Sequence, residues 1–121
     1  MSRLELDAAI PILRIYDIAK AKEFYVDFLG FQIDWEHRFD DNAPLYIQVS
    51  RSGIKLHLSE HYGDGTPGSA VYIRGHDIPA LAAELHAKKA RFARPSPTAK
   101  DMNLTDPFGN VLRFDDATNR H

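Results

Sequence analysis

The sequence predicts an α+β fold made of two successive βαβββ modules in a single domain. Three observations support this. The order strand, helix, strand, strand, strand is legible twice along the chain. The helix-capping aspartates Asp17 and Asp77 stand 60 residues apart, and the glycines that precede the last strands, Gly53 and Gly109, stand 56 apart. Gly-Ile-Lys-Leu-His-Leu from Gly53 also matches Gly-Asn-Val-Leu-Arg-Phe from Gly109. A tandem repeat whose second copy has lost about four residues between helix and last strand accounts for all three.

The first module spans about 8–61. Ala9–Ile15 is apolar around Pro11, with Arg14 its only charge, and reads as a strand with an edge or irregular point at the proline. Asp17 caps a helix whose stripe is Ile18, Ala21, Phe24, Tyr25, Phe28 and Leu29, and Gly30 ends it. From Phe31 to Phe39 apolar and charged residues alternate, as in a half-buried strand. The turn Asp40–Pro44 leads into a strand at Leu45–Ser50, and Ser52-Gly53 turns that strand back into Ile54–Ser59.

Tyr62–Gly68, rich in glycine, reads as a linker. It lacks the lysine and following helix of a phosphate-binding loop. The second module, about 69–116, has a strand at Ser69–Arg74 and a helix capped by Asp77, with Pro79 in its first turn and Ile78, Leu81, Ala82 and Leu85 as its stripe. Lys88-Lys89 forms its solvated, dipole-compatible end. Short strands fit around Arg91–Arg94, Met102–Thr105 and Val111–Asp115.

With 121 residues, 44% hydrophobic and 26% charged, the chain is long enough to build a core without disulfide or metal staples. It has no cysteine, which excludes a disulfide scaffold, a thiolate metal cluster and a thiol nucleophile, and agrees with a cytoplasmic location. No stretch has the pattern of a signal peptide or a membrane span. Its 15 basic and 17 acidic side chains are mixed along the chain, without the one-signed field of nucleic-acid binding. The expected partner is a small molecule, with no nucleic acid and no membrane.

Several strings together resemble one family. Ala9-Ile10-Pro11-x-Leu13-x-x-x-Asp17, Glu23-Phe24-Tyr25 and Leu29-Gly30-Phe31 resemble the first module of the glyoxalase/bleomycin-resistance family, whose unit is the VOC domain of the vicinal oxygen chelate superfamily. Asp106-Pro107-Phe108-Gly109-Asn110, ahead of a final strand, resembles that family's closing motif. Pro11 lies 13 residues before Phe24 and Leu58-Ser59-Glu60-His61 ends the first module, which is most similar to the bleomycin-resistance, antibiotic-resistance branch. The resemblance implies an open, curved sheet and a homodimer with cavities shared between subunits. It also implies a possible exchange of the N-terminal strand near Pro11, where an ordinary edge-strand proline is the alternative.

Strand parity assigns side chains to faces. Leu13, Ile15, Leu56, Leu58, Val71, Ile73, Leu112 and Phe114 go under the helices. Ile10, Ile12, Arg14, Lys55, His57, Ser59 and His61 go to the cavity side of the first module, and Ala70, Tyr72, Arg74, Val111, Arg113 and Asp115 to that of the second. Superfamily enzymes hold a divalent metal between four cavity positions, which carry over to Ile10, His57, Ala70 or Ser69, and Arg113. Of these only His57 is a metal ligand, and a guanidinium repels a cation, so no metal or other cofactor is expected. His57 and His61 are about 13 Å apart along a strand, too far to share an ion.

His57 therefore reads as a pocket-lining residue that hydrogen-bonds Ser59 or a ligand. It is a candidate catalytic base only if Asp101, Asp115 or Glu60 approaches it. Trp35, His37, Tyr46 and Tyr72 suggest an aromatic cavity for a planar ligand, with core packing as the alternative for Trp35. Gln48, Ser59, Asn103 and Arg113 complete the candidate ligand-binding set. Arg14, Arg74 and Arg113 either add positive charge to this face or pair with Asp34, Asp101 or Asp115. Positive charge would disfavour cationic bleomycin, which the family's resistance proteins bind in an acidic groove. The expected function is bleomycin-resistance-like binding of a small planar or aromatic molecule, such as a bleomycin-like antibiotic, without a catalytic metal. The alternative is a superfamily enzyme of the lyase or dioxygenase type using His57 as metal ligand or general base.

Overall fold

The computed structural model describes residues 3–38, 40–88, 92 and 94–119. It is α+β, with two small sheets and two helices. The strands are β1 (Ile12–Arg14), β2 (Gln32–His37), β3 (Tyr46–Arg51), β4 (Ile54–Ser59), β5 (Ala70–Gly75), β6 (Asp101–Thr105) and β7 (Val111–Asp116). Helix α1 (Ile18–Lys22) continues without a break as a π-helix over Glu23–Phe28, and α2 spans Ile78–Ala87. The first sheet has the order β1-β4-β3-β2 and the second β5-β7-β6, and in each the first strand runs parallel to the last.

The two sheets repeat each other in register. Ile12 pairs with His57 and His57 with Gln48; Tyr72 pairs with Arg113 and Arg113 with Asn103. The inner faces belong to one hydrophobic core. Leu13, Ile47, Val49, Leu56 and Leu58 of the first sheet and Ile73, Met102, Leu104, Leu112 and Phe114 of the second enclose Phe24, Tyr25, Phe28, Ala82 and Leu85 of the helices. The face of each sheet opposite that core is its outer face.

Asp17 caps α1 as expected, accepting from Lys20 N at 3.0 Å. Beyond Lys22 the helix widens: Leu29 N donates to Phe24 O, five residues back, at 2.9 Å. The wider turn directs Phe24, Tyr25, Phe28 and Leu29 all into the core. Pro11 lies where β1 begins, on the sheet edge. Its missing N–H leaves no gap, and its carbonyl accepts from His57 N at 3.0 Å.

Four local expectations are corrected. Phe31–Phe39 is not a half-buried strand: all of β2 is exposed, with Ile33 at 37% and Trp35 at 41%, because it is the far edge of its sheet. A register shift between Ile33 and Trp35 breaks the alternation. Asp77 occupies the N-cap position of α2 but makes no side-chain cap. Its backbone is left-handed (φ 62°), and Asp116 Oδ2 accepts from Ile78 N at 2.8 Å instead. Lys88 is not a solvated terminus, since its Nζ donates to the carbonyls of Asp27 (3.0 Å) and Phe28 (2.5 Å) at the end of the first helix. Phe92 and Arg94 are in no strand; Arg91, Ala93, Phe39 and Lys89 lie outside the described residues.

Candidate functional site

The outer face of the first sheet presents a cluster of aromatic and polar side chains, the cup. The shift in β2 places two residues, Asp34 and Trp35, opposite Gln48, while Ile33 pairs with inward Val49 and Glu36 with inward Ile47. Gln32, Asp34, Trp35 and His37 consequently share the outer face with Tyr46, Gln48 and Ser50 of β3 and with Lys55 and His57 of β4. Trp35 stacks on Tyr46 with ring centroids 5.9 Å apart and planes 9° from parallel, and meets His57 edge-on at 5.3 Å. Of the two readings of Trp35, core packing is ruled out by its exposure.

A hydrogen-bonded chain crosses the cup. Tyr46 Oη lies 2.6 Å from His57 Nδ1, His57 Nε2 lies 2.9 Å from Gln48 Oε1, and Gln48 Nε2 donates to Asp34 Oδ2 at 3.0 Å. Asp34 also accepts from Ser50 Oγ (2.9 Å) and Gln32 Nε2 (3.1 Å). These donors, Gln48 first and Ser50 next, hold its carboxyl below the usual range. Burial lowers the pKa of His57, and burial first, then the charge of Asp64, raises that of Tyr46.

The remaining predicted residues divide into two groups. Ser59 shares the face but is buried; its Oγ donates to Asp64 Oδ2 at 2.8 Å and accepts from His61 N, so it bonds the chain's own turn and not His57. Arg14 beside it donates to the His61 carbonyl and lies over the Tyr16 ring at 4.9 Å, paired with none of the aspartates. Tyr72, Arg113 and Asn103 form one row on the outer face of the second sheet. Tyr72 Oη donates to Asp115 Oδ2 at 2.6 Å, Asn119 Nδ2 to Asp115 Oδ1 at 2.7 Å, and Arg74 to the Ala117 carbonyl. Among the described residues no carboxylate lies within 4.0 Å of the Arg113 guanidinium.

The sequence analysis did not single out Asp34 as a site residue. Its three donors come from side chains brought together by the bulge, and strict alternation gives no sign of a bulge. In the strand pairing His57 lies beside Ile12 and Arg113 beside Tyr72. Ile12, His57, Tyr72 and Arg113 do not fit a divalent cation. They supply one imidazole, with both nitrogens engaged, and one phenol bound to a carboxylate. Among the described residues no carboxylate hydrogen-bonds His57, and its contact with Asp34 runs through Gln48.

Two grooves are lined by residues of both sheets. One, of about 440 Å³, runs between the sheets beside Leu29, Arg51, Ile73, His76, Leu81 and Phe114; the other, of about 610 Å³, lies under the N-terminal arm beside Pro11, Lys55, Val71 and Tyr72. No helix among the described residues is long and apolar enough to cross a membrane.

The family model described as "Glyoxalase superfamily protein" matches residues 1–121. No curated protein matches the chain. Among solved structures, the bleomycin-binding protein from bleomycin-producing Streptomyces verticillus, in complex with copper(II)-bleomycin, is 27% identical, with a TM-score of 0.66 over 95% of this chain and 99% of that one. TnmS3, an antibiotic binding protein from Streptomyces sp. CB03234, is 20% identical, with a TM-score of 0.59 over 93% and 98%. The fosfomycin resistance protein FosX from Listeria monocytogenes shares the fold at 9% identity, with a TM-score of 0.63 over 93% and 92%.

Proposed function

This chain belongs to the glyoxalase superfamily, and from that premise we propose that it binds a small planar aromatic molecule of the antibiotic class without a catalytic metal. The observation that carries the reading is the Trp35–Tyr46 stack, partly exposed on the outer face of the first sheet, with His57 edge-on to both rings and hydrogen-bonded to Tyr46. Exposed, pre-stacked aromatic rings suit a flat ligand. The likeness to a bleomycin-binding protein solved with its drug supports a ligand of that kind.

Two copies complete the pocket in this reading. One chain carries the cup of Trp35, His37, Tyr46, Gln48 and His57 on its first sheet and the row of Tyr72, Arg113 and Asn103 on the outer face of its second. A homodimer, with or without exchange of the strand at Pro11, sets one chain's cup against the partner's row. Arg113, with no carboxylate within 4.0 Å among the described residues, then favours a ligand less cationic than bleomycin.

The test is metal analysis of the purified protein after dialysis against Zn²⁺, Mn²⁺, Fe²⁺ and Ni²⁺, beside His57→Ala, with sedimentation to fix the oligomeric state. A dimer that retains no stoichiometric metal is expected. Stoichiometric metal that is lost in His57→Ala would overturn the metal-free reading and direct assays to lyase or dioxygenase chemistry.

A further inference from the structure

We propose that Asp34, acting through Gln48 and His57, fixes the Tyr46 hydroxyl as a hydrogen-bond acceptor toward the cup, so that the site selects planar ligands carrying a phenol or ring N–H donor. This rests on the binding role proposed above and specifies which ligands fill it.

The direction of each bond follows from chemistry. A carboxylate only accepts, so Asp34 takes the Nε2 end of Gln48 and leaves its Oε1 facing His57. An amide oxygen also only accepts, so the proton of a neutral His57 sits on Nε2. Nδ1 then presents a lone pair, and the Tyr46 hydroxyl 2.6 Å away donates to it. Tyr46 has one proton, and it is committed inward; only oxygen lone pairs remain for a ligand. Tyr72 on the second sheet is in the same state, its proton held by Asp115. The aromatic hydroxyls of both faces therefore offer acceptors.

The titratable and charged groups around His57 are Tyr46 on β3, Asp34 and His37 on β2, Arg14 on β1, Lys55 on its own strand, His61 beyond its end and Asp64 in the turn that follows, whose charge acts on Tyr46. Burial favours the neutral imidazole. Protonation would place a hydrogen on Nδ1, turn the Tyr46 oxygen into its acceptor and free the hydroxyl proton for the ligand, reversing the preference at acid pH.

The experiment compares 2-naphthol with 2-methoxynaphthalene, alike in ring but not in donor, by equilibrium dialysis at pH 7.5. The wild-type protein should bind naphthol about tenfold more tightly, the worth of one hydrogen bond. Asp34→Asn, which lets the Gln48 amide turn over, and Tyr46→Phe, which keeps the ring, should each bring the ratio close to one. Nitrogen-15 NMR should show His57 as the Nε2–H tautomer in the wild type and as a mixture in Asp34→Asn. Equal binding of the two probes, or an Nδ1–H tautomer in the wild type, would overturn this inference and leave the binding role standing. Saturable binding of neither probe would overturn the aromatic-ligand role itself.

Discussion

Tyr25 Oη donates a 2.6 Å hydrogen bond to Asp106 Oδ2, joining the first helix to the closing turn of the second half. Asp106 also accepts from the backbone of Phe108 and Asn110 and from Asn110 Nδ2, and that same amide nitrogen donates to the Arg14 carbonyl at 2.9 Å. The Phe-Tyr and Asp-Pro-Phe-Gly-Asn strings are thus the two ends of one buried latch. Burial first, then Asp106, drives the phenol pKa well up.

Tyr25→Phe should cost about 1–2 kcal/mol of stability, since three donors to Asp106 remain; Asp106→Ala, which strands several buried groups, should cost about 3 kcal/mol or more. Chemical denaturation measures both. Ligand affinity, measured on folded protein, should be unchanged in Tyr25→Phe because the latch lies on the core side of the sheets.

Gly30 ends the first helix with φ +74°, and a Cβ there would meet Arg51 Nη1 at 2.8 Å. That guanidinium bonds the Leu29 carbonyl at 2.6 Å and holds Glu84 through two nitrogens, at 2.7 and 2.8 Å. Gly30→Ala should therefore destabilise by about 1–2 kcal/mol. In an Arg51→Ala background the penalty should shrink toward the backbone cost alone, which a double-mutant cycle reads directly.

The α2 cap distinguishes two aspartates. Asp77→Ala should lower thermal stability only by the small cost of Ala in a left-handed backbone, because its carboxylate caps nothing. Asp116→Ala should lower the unfolding midpoint clearly, since Asp116 accepts from Ile78 N, Thr118 N and Thr118 Oγ1. Reversal of that order would contradict the cap assignment.

Burial lowers the pKa of His57 below its ordinary 6.5. The folded state therefore prefers the neutral ring, and the unfolded chain binds more protons as pH falls. The contribution to stability is present above pH 6.5 and declines as pH drops from there toward the folded value. Urea midpoints at pH 7.5 and 5.5 should differ less in His57→Asn than in the wild type. An equal difference would mean that His57 titrates as freely when folded as when unfolded.

The repeated fold was legible because apolar spacing and punctuation agreed. Asp17 and Gly30 bound the first helix, and parity placed Leu56, Leu58, Leu112 and Phe114 in the core, where they lie. The site was legible in part. Tyr46, Gln48 and His57 follow from parity on regular strands, but Trp35 joins them through a bulge, which has no marker in the alternation of Phe31–Phe39. The chain from Asp34 depends on pairing between three strands, which local pattern does not encode. Asp77 misled because the cap of α2 comes from Asp116, 38 residues beyond Ile78.

Trp35 is the only tryptophan and lies in the proposed cup, so its emission reports on that site alone. The most direct measurement is a titration of that emission, in the presence of a chelator, with planar aromatic antibiotics, metal-free bleomycin included. The account predicts a saturable change at one ligand per cup that the chelator does not alter and that Tyr46→Ala weakens at least about tenfold. No saturable change with any of them, or a change that appears only when a divalent metal is restored, would contradict it.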